Sequence, residues 1–130
     1  MALESHEIQV RVRYAETDAM GVLHHANYLV YCEMGRTELY RADGGNYRQM
    51  EEQGLYFVVV EARCKYRAPA RYDDLLTVRT KIARVTPVKL EHDYEILRDK
   101  QVLATAHTVL ACIDREGKVR RIPDFVLNAS

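Results

Sequence analysis

The sequence predicts an α+β fold, in which one long helix covers one face of an antiparallel β-sheet. Three observations lead there. Several segments alternate apolar and polar residues with the period of two that a half-buried strand requires. A single stretch, 26–43, keeps helical spacing with Gly35 as its only turn residue. That helix comes early, between the first strand and all the others.

In chain order, Ile8, Val10, Val12 and Tyr14 alternate with Gln9, Arg11 and Arg13, which reads as a first strand with one buried face. A loop from Ala15 to His25 comes next. The helix, Ala26 to Asp43, stops at Gly44-Gly45. Tyr28, Tyr31, Cys32, Gly35, Leu39 and Ala42 fall on one side of its wheel, and Gly35 there permits a close approach to the sheet. From Phe57 to Arg67, Val58, Val60, Ala62, Cys64 and Tyr66 alternate with Val59, Glu61, Arg63 and Lys65; Leu76 to Ile82 behaves likewise. Val88, Leu90, His92, Tyr94 and Ile96 form the apolar side of the next strand, and Asp99-Lys100 turns the chain. Val102 to Asp114 is apolar on both faces, as a strand inside a sheet should be. A turn at Arg115 to Lys118 leads to a short closing segment, Val119 to Leu127.

At 130 residues the chain fits one domain, 1–130, without repeats or linkers; its three prolines, 69, 87 and 123, stand singly. Lysine plus arginine equals aspartate plus glutamate at 19 each, so net charge suggests no nucleic-acid partner and any anion binding is local. Cys32, Cys64 and Cys112 are odd in number, far apart and set in apolar runs, which reads as reduced core thiols in a reducing compartment. There is no basic-then-apolar leader at the N-terminus, and no apolar run approaches the roughly 18 residues a membrane span needs. The expected location is cytoplasmic, with no integral membrane contact.

The segment joining the first strand to the helix concentrates the chemistry. Between Tyr14 and Tyr28 it holds the carboxylate of Asp18, the imidazoles of His24 and His25, and a helix start. A helix N-terminus offers unpaired N–H groups and partial positive charge, which can polarise a carbonyl and stabilise an oxyanion. A carboxylate on the loop before it can attack that carbonyl or deprotonate a water. By spacing alone, the plainer reading is a turn shaped by Asp18 and Gly21 and a helix start solvated by the two histidines.

Arg11-Val12, Thr17-Asp18, Gly21-Val22, His25 and Tyr28, in this order and spacing, resemble the active-site signature of the 4-hydroxybenzoyl-CoA thioesterase family. The similarity continues through Glu33, Arg36-Thr37-Glu38, Tyr66, Ala68-Pro69-Ala70-Arg71, Asp73-Asp74 and Ile122-Pro123, so it spans nearly the whole chain. It is closest to the bacterial branch of short-chain acyl-CoA thioesterases associated with the Tol-Pal envelope system. The resemblance implies a hotdog fold, a curved antiparallel sheet wrapped around one long helix, with sites formed between subunits of a homodimer or homotetramer. It implies hydrolysis of an acyl-CoA to a carboxylic acid and CoA, with no metal and no cofactor beyond the CoA of the substrate. Asp18 matches the catalytic carboxylate, as nucleophile or general base, and the backbone N–H at His25 matches the donor to the thioester carbonyl. In the bacterial branch, Tyr14 and His25 match positions whose side chains also contribute. Met20 and His24 depart from the small and aromatic residues common at their positions, which leaves the acyl group open.

The alternative is a hotdog module that binds acyl-CoA or acyl carrier protein without hydrolysing it; the presence of Asp18 favours the enzyme. His92 sits on an apolar strand face and reads as a hydrogen-bonded core histidine. His24 and His25 point different ways and have no partners at metal-ligand spacing. Glu33 and Glu38 read as solvated or paired with Arg36 and Arg41. Among Lys65, Arg67, Arg71, Arg84 and Lys89, cations suited to CoA phosphates, only Lys89 maps to the family's phosphate-contacting segment. The strand Val102 to Ile113, too apolar on both faces for one helix to cover, points to a second copy of the chain as partner.

Overall fold

The alternating segments pair into one five-stranded antiparallel sheet, β1 (Ser5–Arg11), β2 (Leu55–Tyr66), β3 (Leu75–Val85), β4 (Lys89–Arg98) and β5 (Gln101–Asp114), in the order β1-β3-β4-β5-β2. This computed structural model describes residues 3–45 and 47–127. One long helix, α1 (His25–Ala42), lies on the sheet, with the short helices α2 (Tyr47–Glu52) and α3 (Asp124–Leu127) beside it. It is the hotdog arrangement that the resemblance implies. Among the described residues, no helix is long and apolar enough to cross a membrane.

Helix α1 packs where its apolar stripe predicts. Tyr28, Tyr31 and Cys32 join Val10, Leu76, Val78, Tyr94 and Ile96 in one core. Burial of each such aliphatic side chain is worth about 1.5–3 kcal/mol. The second half of the stripe rotates away from the expected line: Arg36 and Tyr40 are buried with Leu39, while Ala42 is exposed. Gly35 is the contact point. A Cβ there would collide with Thr80 Oγ1 and lie 3.1 Å from Val78 Cγ1, so only glycine lets the helix backbone meet β3. Arg36 is a buried cation, bonded to the Tyr94 hydroxyl at 3.4 Å and to Glu33 at 3.7 Å, and Glu38 pairs with Arg41. The three cysteines are free thiols, and burial pushes Cys32 up to about 12.

Several expected boundaries shift for identifiable reasons. The first strand ends at Arg11, not Tyr14, because the chain tightens into a 3₁₀ turn, Tyr14–Glu16, whose start is held by the Glu16 carboxylate accepting the Arg13 N–H at 2.9 Å. On β2 a bulge at Val60 inverts the expected alternation. Before it, Phe57 packs into the core and Val59 lines a cavity against α1; after it, Ala62 and Cys64 take the helix side. Helix α2 has no counterpart among the sequence-predicted elements, and Met50 is its buried anchor. The closing segment is a single bridge, Ile113 to Val119, followed by α3.

His92 is buried on the helix side of β4, as expected, but its Nδ1 has no hydrogen-bond partner among the described residues. Burial, with Arg36 and His107 nearby, pushes its pKa down to about 3, so the ring is neutral in the folded protein. Unfolding restores an ordinary imidazole, which takes up a proton as pH falls below about 6.5. The unfolded state then binds more protons than the folded one, and stability falls with pH. We expect a loss of about 1.4 kcal/mol per pH unit from this group between pH 6.5 and its folded value. His92→Leu, compared with wild type by urea unfolding at pH 7.5 and pH 5, should remove roughly 2 kcal/mol of that pH dependence. Identical pH slopes for the two proteins would contradict it.

Candidate active site

The site is assembled at one end of the sheet, where the loop after β1 enters α1. Glu16 organises it. Its carboxylate accepts the Tyr31 hydroxyl at 2.7 Å and the Arg13 N–H, with the Arg13 guanidinium at 3.2 Å. Its carbonyl accepts the His24 N–H and the Asn27 side-chain amide, both at 2.9 Å. Burial pushes the Glu16 carboxyl up, but the Arg13 N–H, the Tyr31 hydroxyl and the Arg13 charge together hold it below the usual range. The same pair pushes the Tyr31 phenol up, through burial first and the adjacent carboxylate second.

Between Glu16 and the helix the chain makes a tight loop. Asp18 N–H bonds to the Val22 carbonyl at 2.8 Å, and Gly21 sits at φ +77, a conformation that favours glycine. Leu23, buried, donates its N–H to the Ala70 carbonyl at 2.8 Å and pins the loop to the segment between β2 and β3. One oxygen of Asp18, Oδ1, accepts the Met20 and Val22 N–H groups at 2.9 and 3.3 Å. The other, Oδ2, has no protein partner among the described residues. This bonding aims the carboxylate without consuming it.

His24 caps α1, its Nδ1 accepting the Ala26 N–H at 3.2 Å, and His25 is the first helical residue. The His25 N–H therefore lies at the positive end of an 18-residue helix and has no acceptor among the described residues. The two imidazoles stack at 4.2 Å. Tyr66 donates its hydroxyl to the His25 carbonyl at 3.0 Å and packs edge-on against Tyr28, whose hydroxyl accepts the Ala70 N–H at 3.3 Å. Burial and Cys64 push the Tyr66 phenol up to about 12, so it remains a donor at neutral pH. Asp18, His25, Tyr28, Tyr66 and Arg67 line one cavity of about 370 Å³.

Of the residues singled out from the sequence, the fold brings together Asp18 and His25. Tyr14 is 78% exposed and packs on Tyr72 at 5.5 Å, outside that cavity. Lys89 begins β4 opposite Ala111, whereas Tyr66, at the site, lies opposite Ala104. Seven residues of strand, about 24 Å, separate the two levels of the sheet. Met20 is exposed on the loop, and its contribution is a backbone donor to Asp18. Tyr66 and Tyr28, part of the family resemblance but without a role there, frame the cavity. Among the described residues, no group of three or more histidines, cysteines or carboxylates converges to hold a metal ion.

This geometry agrees with comparisons to known proteins. The sequence matches the thioesterase-like superfamily over residues 12–130. The chain belongs to that superfamily. It is 38% identical over 116 residues to the acyl-CoA thioesterase YbgC of Haemophilus influenzae, covering 87% of this chain and 83% of that one. Its fold matches the DHNA-CoA thioesterase of Staphylococcus aureus with a TM-score of 0.91 at 28% identity, over 95% of this chain and 85% of the other. It matches 4-hydroxybenzoyl CoA thioesterase of a Pseudomonas with a TM-score of 0.87, over 98% of this chain and 99% of that one; at 20% identity this likeness concerns the fold. Membership bears out the expectation of a thioester hydrolase.

Because Glu16 holds both the loop and the helix start, Glu16→Ala should cost roughly 2–4 kcal/mol by urea unfolding, since it strands the buried Tyr31 donor. Glu16→Gln keeps an acceptor for Tyr31 and should cost less than half as much. Equal losses in the two variants would show that the Tyr31 bond is not what matters.

Proposed function

We propose that the protein hydrolyses acyl-CoA thioesters, with Asp18 as nucleophile or general base and the His25 N–H holding the thioester carbonyl. The observation that carries this reading is one cavity lined by Asp18, whose Oδ2 is free, and by His25, whose N–H at the helix start has no acceptor among the described residues. A thioester carbonyl is already electrophilic and a thiolate leaves readily. One base or nucleophile and one oxyanion donor therefore suffice. Attack on the carbonyl carbon moves its electron pair onto oxygen beside the His25 N–H. Collapse expels the CoA thiolate, which takes up a proton. In the nucleophilic route Asp18 forms a mixed anhydride that water then opens; in the general-base route Asp18 takes the proton of the attacking water. The His25 ring, stacked on His24, has a lesser part, and Tyr14 none within a single chain.

Within the superfamily we assign the chain to the bacterial branch associated with the Tol-Pal envelope system, acting in the cytoplasm, on the strength of the Thr17-Asp18, Gly21-Val22 and His25 signature. We also propose a homodimer, joined through β2. The apolar outer face of β5 does not itself demand a partner, because Val109 and Ala111 there are already buried, flanked by Glu91 and Glu61 and by Lys89 and Val58 on the adjoining strands. The unmet demand lies at the edge instead. β2 is an edge strand of 12 residues, with Val59 and Val60 49% and 54% exposed and the exposed Val30 and Met34 of α1 nearby in sequence to its cavity-lining residues. Such an edge invites pairing with a second copy.

Asp18→Asn keeps the shape and removes the charge. It should lower kcat at least about a hundredfold while KM stays within a few-fold, followed by free-thiol release from a panel of acyl-CoAs. Wild-type rates in a folded Asp18→Asn protein would overturn the assignment, and CoA binding without hydrolysis in the wild type would favour the non-catalytic module. Sedimentation at micromolar concentration should give at least twice the mass of one chain; a monomer would remove the dimer.

A further inference from the structure

We propose that the outer face of β2, along Arg67, Lys65 and Arg63, takes the phosphates of the CoA nucleotide. The proposal rests on the acyl-CoA reading above, and it begins from where the active-site cavity leads. Arg67 lines that cavity together with Asp18 and His25. It also lines a second cavity, of about 360 Å³, on the face of the sheet away from α1, together with Lys65 and Arg63. The two spaces adjoin at this side chain.

Strand geometry accounts for the track. Residues 63, 65 and 67 alternate with Cys64 and Tyr66, which face α1, so all three cations stand on the outer side. From Arg67 to Arg63 is about 14 Å along the strand. A thioester held at Asp18 and His25 must send its long pantetheine arm out of the cavity. A line of cations starting at the rim is placed to meet the phosphates at the far end of that arm.

The pattern of ion pairing on this face separates the track from an ordinary mixed surface. The carboxylates that line the outer cavity, Asp93 and Glu95, already have partners: Asp93 bonds to His107 Nδ1 at 2.6 Å, and Glu95 to Arg79 at 2.9 Å. His107 is further held through Nε2 by Glu91 at 3.1 Å, and Arg79 is shared with Glu7 at 2.7 Å. Arg63 has a loose partner in Glu61, at 3.7 Å. Lys65 and Arg67 have no carboxylate within ion-pair distance among the described residues. Lys65 and Arg67 are therefore the cations beside this cavity that no carboxylate already holds, and they suit a dianionic or bridging phosphate, which guanidinium and ammonium groups bind by charge-assisted hydrogen bonds. Joining two sheets through the β2 backbone leaves these side chains on the face of the merged sheet. Lys89, at the other end of β4, is too far from the cavity of its own chain to serve the same phosphates.

The test compares acyl-CoA with the same acyl group on pantetheine, which lacks the phosphates and nucleotide, in the full-length protein. In Lys65→Glu/Arg67→Glu the ratio of kcat/KM for acyl-CoA to kcat/KM for acyl-pantetheine should fall at least tenfold, through KM for acyl-CoA. Direct titration with CoA should show a Kd at least tenfold weaker in this variant, and salt should weaken CoA binding to the wild type more than to the variant. An unchanged ratio with unchanged CoA affinity overturns the inference. So does a loss confined to Lys89→Glu, or a wild type that neither binds CoA nor prefers acyl-CoA over acyl-pantetheine. A wild type that binds CoA through Lys65 and Arg67 but hydrolyses nothing would sink the proposed activity and leave the nucleotide site standing.

Discussion

The buried Glu16 is the constraint on which the rest of the site depends. A carboxylate inside a protein must be fully bonded to be tolerated, and this one spends both its side chain and its carbonyl on bonds to three different parts of the chain. The Arg13 N–H fixes the exit from β1, the Tyr31 hydroxyl fixes the first turns of α1, and His24 and Asn27 fix the helix cap. With those three fixed, the loop carrying Asp18 has little choice of path. Leu23, bonded to Ala70, closes it from the other side.

That rigidity matches the chemistry proposed for the site. Nothing in thioester hydrolysis requires many groups, but those it requires must be aimed before the substrate arrives. Asp18 is aimed by two backbone donors on one oxygen, and the His25 N–H by its place at the first position of α1. Tyr66 adds a cross-link between β2 and the helix start, so the sheet edge and the start of α1 are tied together. The tight approach at Gly35 serves the same end further along α1, since it sets how closely the helix lies on β3.

The two faces of the sheet solve different problems. On the helix side, polar groups are few and deeply buried, and His92 stays neutral there at the cost of an unpaired Nδ1. On the outer side, carboxylates of neighbouring strands gather around shared partners: Glu7 and Glu95 around Arg79, and Asp93 and Glu91 around His107. Against that background the cations without a carboxylate partner, Lys65 and Arg67, stand out beside the candidate site. On a strand chosen at random, Lys65 and Arg67 would be ordinary solvated side chains.

Much of this was legible in the sequence. Alternation of period two located four of the five strands, because a strand with one buried face has no other way to arrange its side chains, and the run from Val102, apolar on both faces, located the fifth. The helix was legible from its spacing and its glycine stop, and the Asp18 to His25 loop from its signature. Sequence did not show the bulge at Val60, which depends on how β2 and β5 register against each other, or α2, whose single buried Met50 leaves too weak a periodic signal. Nor did it show the role of Glu16, which sits among other polar loop residues and becomes a buried anchor only once Tyr31 is folded over it. Local pattern thus determined which residues form strands, helix and the Asp18 to His25 loop, since those depend on neighbours within a few positions. Which cations reach the cavity, and which strand edge is left open, were decided by the tertiary structure alone, because each depends on residues far apart in the chain and brought together by the order of the strands.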